Sequence, residues 1–388
     1  MRILNVITYY RPHTSGLTIY AERLCRALAA RGHQVTVLTS RFDPNTPLEE
    51  VVDGVRIVRV PVAFRISKGV IMPKFGMMAS KLVAENDVIQ MHLPQFDAAG
   101  VALRGRLMGK PTVITYHCDL HMPPGALAWA ANQGVLFMNN LAALFTKSIV
   151  TYTRDYAEHS PYLTRYMRKL HIIPPPVELP PVTGEDIASF KHLHNPESRR
   201  PVIGMAARFA TEKGVEVLLN ALPKVLERFP NALVLFAGPY QNIIGEEAYF
   251  ARLSGQIEEY QQRGCWKFVG TLNPAQMAAF YPNIDTLVLP SLNSTEAFGL
   301  VQIEAMMNGV PSIASALPGV RQPVMIHEMG KVVPIGDQTA LSDALIDVLS
   351  NPERYKRPAD PIRQRYLPDT IAAEYEKLFA SMMNEIQL

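Results

Sequence analysis

The feature that most constrains the fold is a regular alternation of short apolar runs with longer amphipathic stretches. The short runs have the length and β-branched content of buried strands. Strands that alternate with helices form a parallel sheet with helices packed on it, so the pattern predicts an α/β fold. The predicted strands lie at 2–8, 34–39, 55–60, 87–91, 112–115, 148–151, 171–173, 202–207, 232–236, 266–269, 284–289 and 309–315. The helices among them are predicted at 17–31, 73–85, 97–109, 298–308, 337–349 and 370–386.

A proline-rich stretch divides this alternation into two sets. Five prolines fall within residues 174–181, where they predict a stiff connector, and we place the hinge at about 176–200. The chain of 388 residues is long enough for two domains. Residues 1–182 hold 20 Lys and Arg against 12 Asp and Glu, whereas the rest holds 18 against 23. This asymmetry favours two separate domains, with an anionic surface near the first.

Composition excludes several classes of protein. The three cysteines, Cys25, Cys118 and Cys265, form no C-x-x-C pair, which indicates a reducing compartment and argues against a zinc site. No signal peptide is visible at Met1, and the uncharged stretch 125–146 contains four amides, so we predict a buried or interfacial helix there. The excess positive charge is not interleaved with aromatics in the manner of nucleic-acid-binding proteins. A G-x-G-x-x-G dinucleotide fingerprint is absent, which disfavours a nicotinamide dehydrogenase.

The most informative stretch is 284–309, which reads as a strand, a polar loop and a helix. Pro290 ends the strand, the loop supplies hydroxyl and amide side chains, and Gly309 ends the helix. The start of a helix offers unpaired N–H groups to an anion. Glu296 and Glu304 add two carboxylates, which accept hydrogen bonds from hydroxyls. An anion cradle beside two hydroxyl acceptors fits a sugar nucleotide.

Glu296 and Glu304, with P-S before them, F-G between them and G-V-P-S-I-A after them, resemble the E-x7-E signature of the retaining GT-B glycosyltransferases of the group 1 (GT4-like) family. The resemblance extends over nearly the whole chain and is most specific in 202–315. It implies two Rossmann-like doubly wound domains facing across a cleft, with an acceptor domain at 1–182 and a nucleotide-sugar donor domain at 183–365. The C-terminal helix at 366–388 is expected to pack back on the first domain.

The resemblance also implies roles for individual residues. Arg208 and Lys213, in the pattern R-x4-K-G, correspond to the pair that binds the diphosphate, and a bidentate Arg with a Lys point charge suits that anion. In the donor site, Glu304 would accept from ribose hydroxyls and Glu296 from sugar hydroxyls, while N–H groups around Phe298, Gly299 and Leu300 face the phosphates. Gly16 matches the family's N-terminal glycine loop; a plain βα turn is an equally good reading of it. His117 follows the strand at 112–115, where the family has a histidine close to the donor sugar.

The function implied is transfer of a hexose, with retention, from a UDP- or GDP-linked sugar to an acceptor hydroxyl. His117, Arg208, Lys213 and Glu296 would carry the catalysis. No D-x-D motif occurs, so neither a metal clamp nor a cofactor is expected, and the two cations would serve in its place. Two alternatives stay open: a sugar-nucleotide epimerase of the same fold, and a catalytically silent scaffold that binds nucleotide sugars.

The acceptor would be a glycan, a lipid or a small metabolite, and one stretch bears on the choice. Residues 54–84 contain six cations and no acid, with apolar residues between them. This pattern suits an anionic membrane surface, although a solvated loop followed by a core helix would look the same. The resulting hypothesis is a cytoplasmic enzyme that docks peripherally on the inner face of the plasma membrane. The cations are Arg56, Arg59, Arg65, Lys68, Lys74 and Lys81.

Overall fold

The fold was examined in a computed structural model, which describes residues 1–66, 69–120, 126–241, 243 and 245–387. The chain divides into two compact units. Unit 1 consists of Met1–Pro176 and Arg365–Leu388, and unit 2 of Val177–Gln364. Each unit contains one large, mostly parallel sheet with helices packed against it, as the alternation of strands and helices predicted.

Unit 1 is built on an eight-stranded sheet in the order β10-β9-β8-β7-β1-β2-β4-β3. All its pairs are parallel except β3 with β4, and β5 and β6 form a separate antiparallel hairpin. Its strands are β1 (Arg2–Val6), β2 (Gln34–Arg41), β3 (Glu49–Val52), β4 (Val55–Pro61), β5 (Phe64–Ile66), β6 (Gly69–Ile71), β7 (Val88–Leu93), β8 (Thr112–Tyr116), β9 (Ser148–Thr151) and β10 (Leu170–Ile172). Its helices are α1 (Gly16–Ala30), α2 (Phe75–Glu85), α3 (Ala98–Leu107), α4 (Ala126–Phe145), α5 (Arg154–His159) and α15 (Pro368–Gln387).

Unit 2 has a fully parallel sheet in the order β13-β12-β11-β14-β15-β16, which places β11 and β14 side by side at its centre. Its strands are β11 (Val202–Ala206), β12 (Leu233–Ala237), β13 (Trp266–Gly270), β14 (Thr286–Leu289), β15 (Ser312–Ser315) and β16 (Gly330–Val333). Its helices are α6 (Gly184–His194), α7 (Val215–Arg228), α8 (Glu247–Gln262), α9 (Pro274–Phe280), α10 (Leu300–Met306), α11 (Gln322–His327), α12 (Gln338–Ser350) and α13 (Pro352–Tyr355), and α14 (Ala359–Tyr366) runs across the division at 364/365.

Several predicted elements have different bounds in the structure. Helix α6 occupies the middle of the predicted hinge at 176–200, because Thr183 and Asp186 form a capping box that starts a helix after the prolines. The strand predicted from residue 309 begins only at Ser312, since Gly309 adopts a left-handed φ of 74° beyond α10. The antiparallel strand β3 and the β5–β6 hairpin were not predicted. Their runs are too short to give a strand signal.

The C-terminal helix α15 packs on α1 within unit 1. Arg31 at the end of α1 pairs with Asp369 and Glu376, at 2.7 Å each. In the interior, the hydroxyls of Tyr20 and Tyr375 lie 2.7 Å apart, and both side chains are completely buried. The helix therefore forms part of the core of unit 1.

The uncharged stretch around 125–146 forms α4, and Gly125 itself lies outside the described residues. Asn139 is buried, and Asn140 accepts a hydrogen bond from the Tyr166 hydroxyl at 2.7 Å. Across the described part of the chain, no helix is long and apolar enough to cross a membrane.

Candidate active site

The predicted donor residues of unit 2 gather where its two central strands end. Arg208 follows β11, and the polar loop 290–299 follows the neighbouring strand β14. The carboxyl ends of adjacent parallel strands meet at one edge of the sheet, where α/β proteins bind ligands. Residues far apart in the sequence are thereby brought to one place.

The loops after β11 and β14 are fixed to each other. The Leu292 amide donates to the Glu212 carbonyl at 2.9 Å. Gly214 has φ 66°, and a Cβ there would lie 2.2 Å from the Pro290 carbonyl oxygen, so only glycine permits this approach. Lys213 then reaches Glu296, with Nζ 2.6 Å from Oε2, and each of these side chains is 19% exposed. Two of the predicted catalytic residues are therefore in direct contact.

Arg208 is the more open of the two predicted diphosphate-binding cations. Its guanidinium pairs with Glu212, four residues later in the same loop, and its side chain is 38% exposed. Because Lys213 pairs with Glu296 as well, each cation has a carboxylate partner. Glu212 was not among the predicted residues, although its position in T-E-K-G places it beside Lys213.

Gly299 controls the start of α10. Its φ is 80°, and a Cβ would lie 2.3 Å from Leu289 Cδ2 and 2.8 Å from Gln302 Nε2. Helix α10 therefore begins at Leu300 rather than at Phe298, and the glycine presses the loop against the end of β14. Buried Gln302 secures this corner by donating to the carbonyls of Phe298 and Val320, at 3.0 and 2.9 Å. We did not predict a role for Gln302, because amide partners in other loops cannot be read from local sequence.

Glu304 lies on α10 and is 8% exposed. The Tyr281 hydroxyl donates to Glu304 Oε2 at 2.7 Å, and Tyr281 is itself completely buried. A buried carboxylate needs such a donor, because an unpaired charge away from water is costly. Tyr281 thus sets the orientation of Glu304, and no motif in the sequence pointed to it.

Of the two predicted site residues in unit 1, Gly16 lies at the first position of α1. Ser15 caps this helix by accepting from the Thr18 amide at 3.2 Å. A Cβ built on Gly16 would meet no atom within 4 Å. Packing within the unit therefore does not require glycine here.

His117 follows β8 and is 5% exposed. Its Nε2 lies 2.7 Å from Nδ1 of His92, and its Nδ1 contacts the Tyr152 hydroxyl. Burial, together with the neighbouring His92, holds the pKa of His117 well below its ordinary value, so its ring is uncharged at neutral pH. Both ring nitrogens are engaged inside the unit.

Asp119, near His117 in sequence, has a structural role within the same unit. Its carboxylate accepts from the hydroxyls of Tyr116, Tyr156 and Ser160, at 2.8, 3.0 and 2.7 Å. Its backbone amide donates to the Tyr156 hydroxyl. These bonds tie the loop after β8 to the segment after β9.

The stretch 54–84 is less exposed than its sequence indicated. Arg59 is 3% exposed and pairs with Glu50 at 2.5 Å, and Arg56 pairs with Glu49 at 2.6 Å. Glu49 and Glu50 lie on β3, just outside the acid-free window, and the β3–β4 hairpin brings them to β4. Arg59 is therefore unavailable to a membrane, and Arg56, whose side chain is 36% exposed, already has a carboxylate partner, which reduces the predicted basic surface.

What remains is a smaller patch, which we call the hairpin patch. Phe64 pairs with Ile71 across the β5–β6 hairpin, and these side chains are 56% and 38% exposed. Met77 on α2 is 68% exposed. Arg65 and Lys74 are exposed cations of the same segment, and Lys68 lies outside the described residues. The hairpin patch is defined by Phe64, Arg65, Ile71, Lys74 and Met77.

Comparison with known proteins identifies the family of the chain. Residues 14–179 match the model of the "Glycosyltransferase Family 4" family, and residues 186–365 match that of "Glycosyl transferases group 1". Among curated proteins, the chain is 26% identical to a phosphatidyl-myo-inositol mannosyltransferase of Mycobacterium leprae, over 98% of this chain and 97% of that protein. It is 28% identical to a glycogen synthase of Mycobacterium tuberculosis, over 95% and 91% of the two chains.

Solved structures show the same fold. Sucrose-phosphate synthase from Thermosynechococcus elongatus superposes with a TM-score of 0.73 at 22% identity, covering 99% of both chains. Anabaena HepE in complex with UDP-glucose superposes with a TM-score of 0.76 at 18% identity, covering 98% of this chain and all of that one. The chain has the GT-B fold of two Rossmann-like domains, and it belongs to the group 1 (GT4-like) family of glycosyltransferases.

Proposed function

We propose that this glycosyltransferase moves a hexose from a UDP- or GDP-linked donor to an acceptor hydroxyl, with retention at the anomeric carbon. The observation that carries the donor assignment is the contact of Lys213 with Glu296 beside Arg208, at the ends of β11 and β14. Relatives support the sugar class: one is named a mannosyltransferase, another a glycogen synthase, and HepE was solved with UDP-glucose.

The two ion pairs, Arg208–Glu212 and Lys213–Glu296, indicate how the donor would bind. A diphosphate offers more negative charge than one carboxylate and can accept a bidentate arginine. Arg208 and Lys213 would therefore exchange Glu212 and Glu296 for the phosphate oxygens. Glu296, released from Lys213, would accept from the hydroxyls of the hexose. Binding would in this way convert two internal ion pairs into contacts with the substrate.

The same cations would act on the chemical step. Charge accumulates on the departing diphosphate as the bond to the anomeric carbon breaks, and fixed cations stabilise such charge strongly. Glu304, held by Tyr281, would accept from the ribose and so bind the nucleoside rather than the reacting atoms. Arg208 and Lys213 are thus expected to affect the rate, and Glu304 the affinity.

The donor assignment is tested by a thermal-shift panel of UDP, GDP and ADP, because a ligand that binds the folded state raises its apparent stability. We expect one nucleoside diphosphate to raise the midpoint of thermal unfolding of the wild-type protein and to raise that of Glu304→Ala much less. If none shifts the midpoint, the donor site is refuted. The anomeric configuration of the first product, read by NMR, then decides between retention and inversion.

Transferase and epimerase activity are separated by the release of nucleotide. UDP-glucose or GDP-mannose is incubated with the enzyme, with and without candidate acceptors, and free nucleotide is measured. Release that depends on the acceptor supports transfer. A change of the sugar without any acceptor would support an epimerase.

For the acceptor, we propose a lipid or lipid-linked glycan reached by docking of the hairpin patch on an anionic membrane. Exposed Phe64, Ile71 and Met77 would enter the interface, while Arg65 and Lys74 would meet lipid phosphates. Each cation near an anionic surface contributes about 1 kcal/mol. A relative named for phosphatidyl-myo-inositol makes a lipid acceptor a natural candidate.

Sedimentation with vesicles tests the docking. Binding should require anionic lipid, weaken with salt, and fall when Arg65, Lys68 and Lys74 become Ser. Replacing three exposed unit 2 cations, Lys224, Arg252 and Lys356, by Ser changes the net charge equally and should leave binding intact. Wild-type protein that stays in the supernatant at low salt would favour a soluble acceptor.

A further inference from the structure

A continuous hydrogen-bonded chain of buried side chains crosses the sheet of unit 1, and no motif pointed to it. Its functional part, which we call the strand-edge relay, consists of Asn5, His92, His117 and Tyr152. These residues lie on or directly after β1, β7, β8 and β9, which are adjacent strands. All four side chains are at most 9% exposed. The strand-edge relay crosses these strands near their carboxyl ends.

The distances in the relay are those of strong hydrogen bonds. His92 Nε2 lies 2.6 Å from Asn5 Oδ1, and His92 Nδ1 lies 2.7 Å from His117 Nε2. The Tyr152 hydroxyl contacts His117 Nδ1. Both imidazoles therefore have both nitrogens engaged. The two imidazole centroids lie 5.0 Å apart with an angle of 25° between the ring planes, and Tyr20 of α1 packs edge-on against His117 at 4.9 Å.

The bonding partners determine where the protons lie. Asn5 Nδ2 donates to Gln90 Oε1 at 3.0 Å, which leaves Asn5 Oδ1 as an acceptor and makes His92 Nε2 a donor. Since neutral imidazole has one donor and one acceptor, His92 Nδ1 accepts from His117 Nε2–H. His117 Nδ1 in turn accepts from the Tyr152 hydroxyl. The relay thus fixes His117 in its Nε2–H form without a free lone pair.

The far end of the chain connects to the C-terminal helix. Gln90 Nε2 donates to Thr115 Oγ1 at 2.8 Å, and Thr115 lies 2.9 Å from the Tyr375 hydroxyl on α15. Tyr375 also contacts Tyr20, which packs on His117. The hydrogen-bonded chain therefore continues from Asn5 through Gln90 and Thr115 to α15 in the core of unit 1.

We propose that His92 is a positioning residue for sugar transfer: with Asn5 and Tyr152 it holds His117 uncharged and in one orientation at the strand edge. This assignment rests on the proposed function, because it takes His117 to be a residue of the donor sugar's surroundings. His117 then presents a fixed, uncharged ring to the donor sugar and does not accept a proton. Burial supports this, since it lowers the pKa of His92 to about 3 and that of His117 well below its ordinary value.

The kinetic test compares two replacements of His92 in the full chain. The amide of His92→Gln can donate to Asn5 and accept from His117, whereas His92→Leu can do neither. We expect His92→Leu to lower kcat about 10- to 100-fold, as misplacement of a site residue does, with little change in the donor KM. His92→Gln should recover most of that loss. If folded His92→Leu and wild type have equal kcat, the positioning role is refuted.

Tyr152→Phe provides a second variant in case His92→Leu fails to fold. It removes the donor to His117 Nδ1 and leaves a lone pair that can take a proton. His117 is faced by His92 from β7, Tyr20 from α1 and the aromatic ring at position 152, and in Tyr152→Phe none of these three is charged at neutral pH. We expect kcat of Tyr152→Phe to fall as the pH is lowered. The kcat of wild type should stay constant over the same range. Identical profiles would contradict the proposal.

Nitrogen-15 NMR of histidine-labelled protein tests the proton positions without any activity. The signals missing in His117→Asn identify His117, whose Nε2 should be protonated and whose Nδ1 should not, unchanged between pH 5.5 and 8.5. A proton on Nδ1 would mean that the relay has the opposite polarity, with both amides turned over, and would overturn the assignment. If wild type transfers no sugar from any donor, the proposed function fails, while this measurement still decides the relay.

Discussion

The carboxyl edges of the two sheets carry different kinds of polar side chains. In unit 2, the edge carries the ion pairs Lys213–Glu296 and Arg208–Glu212, with side chains 15–38% exposed. In unit 1, the edge carries the strand-edge relay, which is uncharged and at most 9% exposed. Solvated ion pairs exchange partners at little cost, whereas a buried satisfied network resists change. We therefore expect the unit 2 edge to exchange its carboxylate partners for an anion and the unit 1 edge to keep its hydrogen bonds.

The largest expected effect is on the carboxyl edge of the unit 2 sheet, where the two ion pairs lie. Arg208→Ala and Lys213→Ala should each lower kcat about 100- to 1,000-fold, because in the proposed function both cations would stabilise the leaving diphosphate. The double variant should lose less than the product of the two, since the residues act as one unit. Lys224→Ala, which removes an exposed cation paired with Asp343, is the matched control and should be silent. Fully multiplicative losses in kcat/KM would indicate that the cations do not share a phosphate.

The buried histidines at the carboxyl edge of the unit 1 sheet should make the stability of the protein depend on pH. His92 and His117 have folded pKa values below the ordinary 6.5, so the unfolded chain binds protons that the folded protein does not. Their stabilising effect is complete above pH 6.5 and is lost as the pH falls toward the folded values, by about 1.4 kcal/mol per pH unit for each ring. Urea unfolding of unit 1 at pH 6.5, 6.0 and 5.5 measures this.

Replacing single histidines makes the acid experiment specific. His92→Gln should remove the contribution of His92 to this proton uptake and flatten the dependence on pH. The same change at exposed His192 of unit 2 should leave it as in wild type. A wild-type stability that does not change between pH 6.5 and 5.5 would show that the two rings take up protons without unfolding.

Glu304 tests affinity separately from rate. Because ribose hydroxyls would lose a charged acceptor, Glu304→Ala should weaken binding of the free nucleotide by about 1.5–3 kcal/mol, as measured by calorimetry. Tyr281→Phe removes the hydroxyl that orients Glu304 and should cause a smaller loss in the same direction. Nucleotide affinity unchanged in Glu304→Ala would place this carboxylate outside the donor site.

The smallest effects concern two glycines. Gly214→Ala should destabilise the protein by about 1–3 kcal/mol, because a left-handed residue gains a Cβ against the Pro290 carbonyl. Gly16→Ala meets open space at the start of α1 and should change stability by less than about 1 kcal/mol. If Gly16→Ala nevertheless weakens donor binding, the glycine serves the ligand rather than the fold. Urea unfolding and nucleotide calorimetry on the same samples measure both quantities.

Sequence alone determined the parts of this protein that depend on local pattern. Period and composition predicted most strands, the parallel sheets and several helix ends, such as Gly309 beyond α10, because these follow from nearby residues. The motif residues Arg208, Lys213, Glu296 and Glu304 were recognised by their spacing and by the P-S and F-G around them. Local pattern also misled: Arg56 and Arg59 looked unpaired because their partners, Glu49 and Glu50, lie just outside the acid-free window.

Only the tertiary structure decided which side chains meet. Lys213 and Glu296 are separated by 83 residues, Asn5 and His92 by 87, and Tyr20 and Tyr375 by 355. Strand order sets the contacts of the strand-edge relay, since β1, β7, β8 and β9 become neighbours only when the sheet forms. The hydrogen-bond needs of buried polar groups then fix orientation and protonation. His117 was therefore recognisable from the sequence, but the state of its ring depends on partners from three other strands.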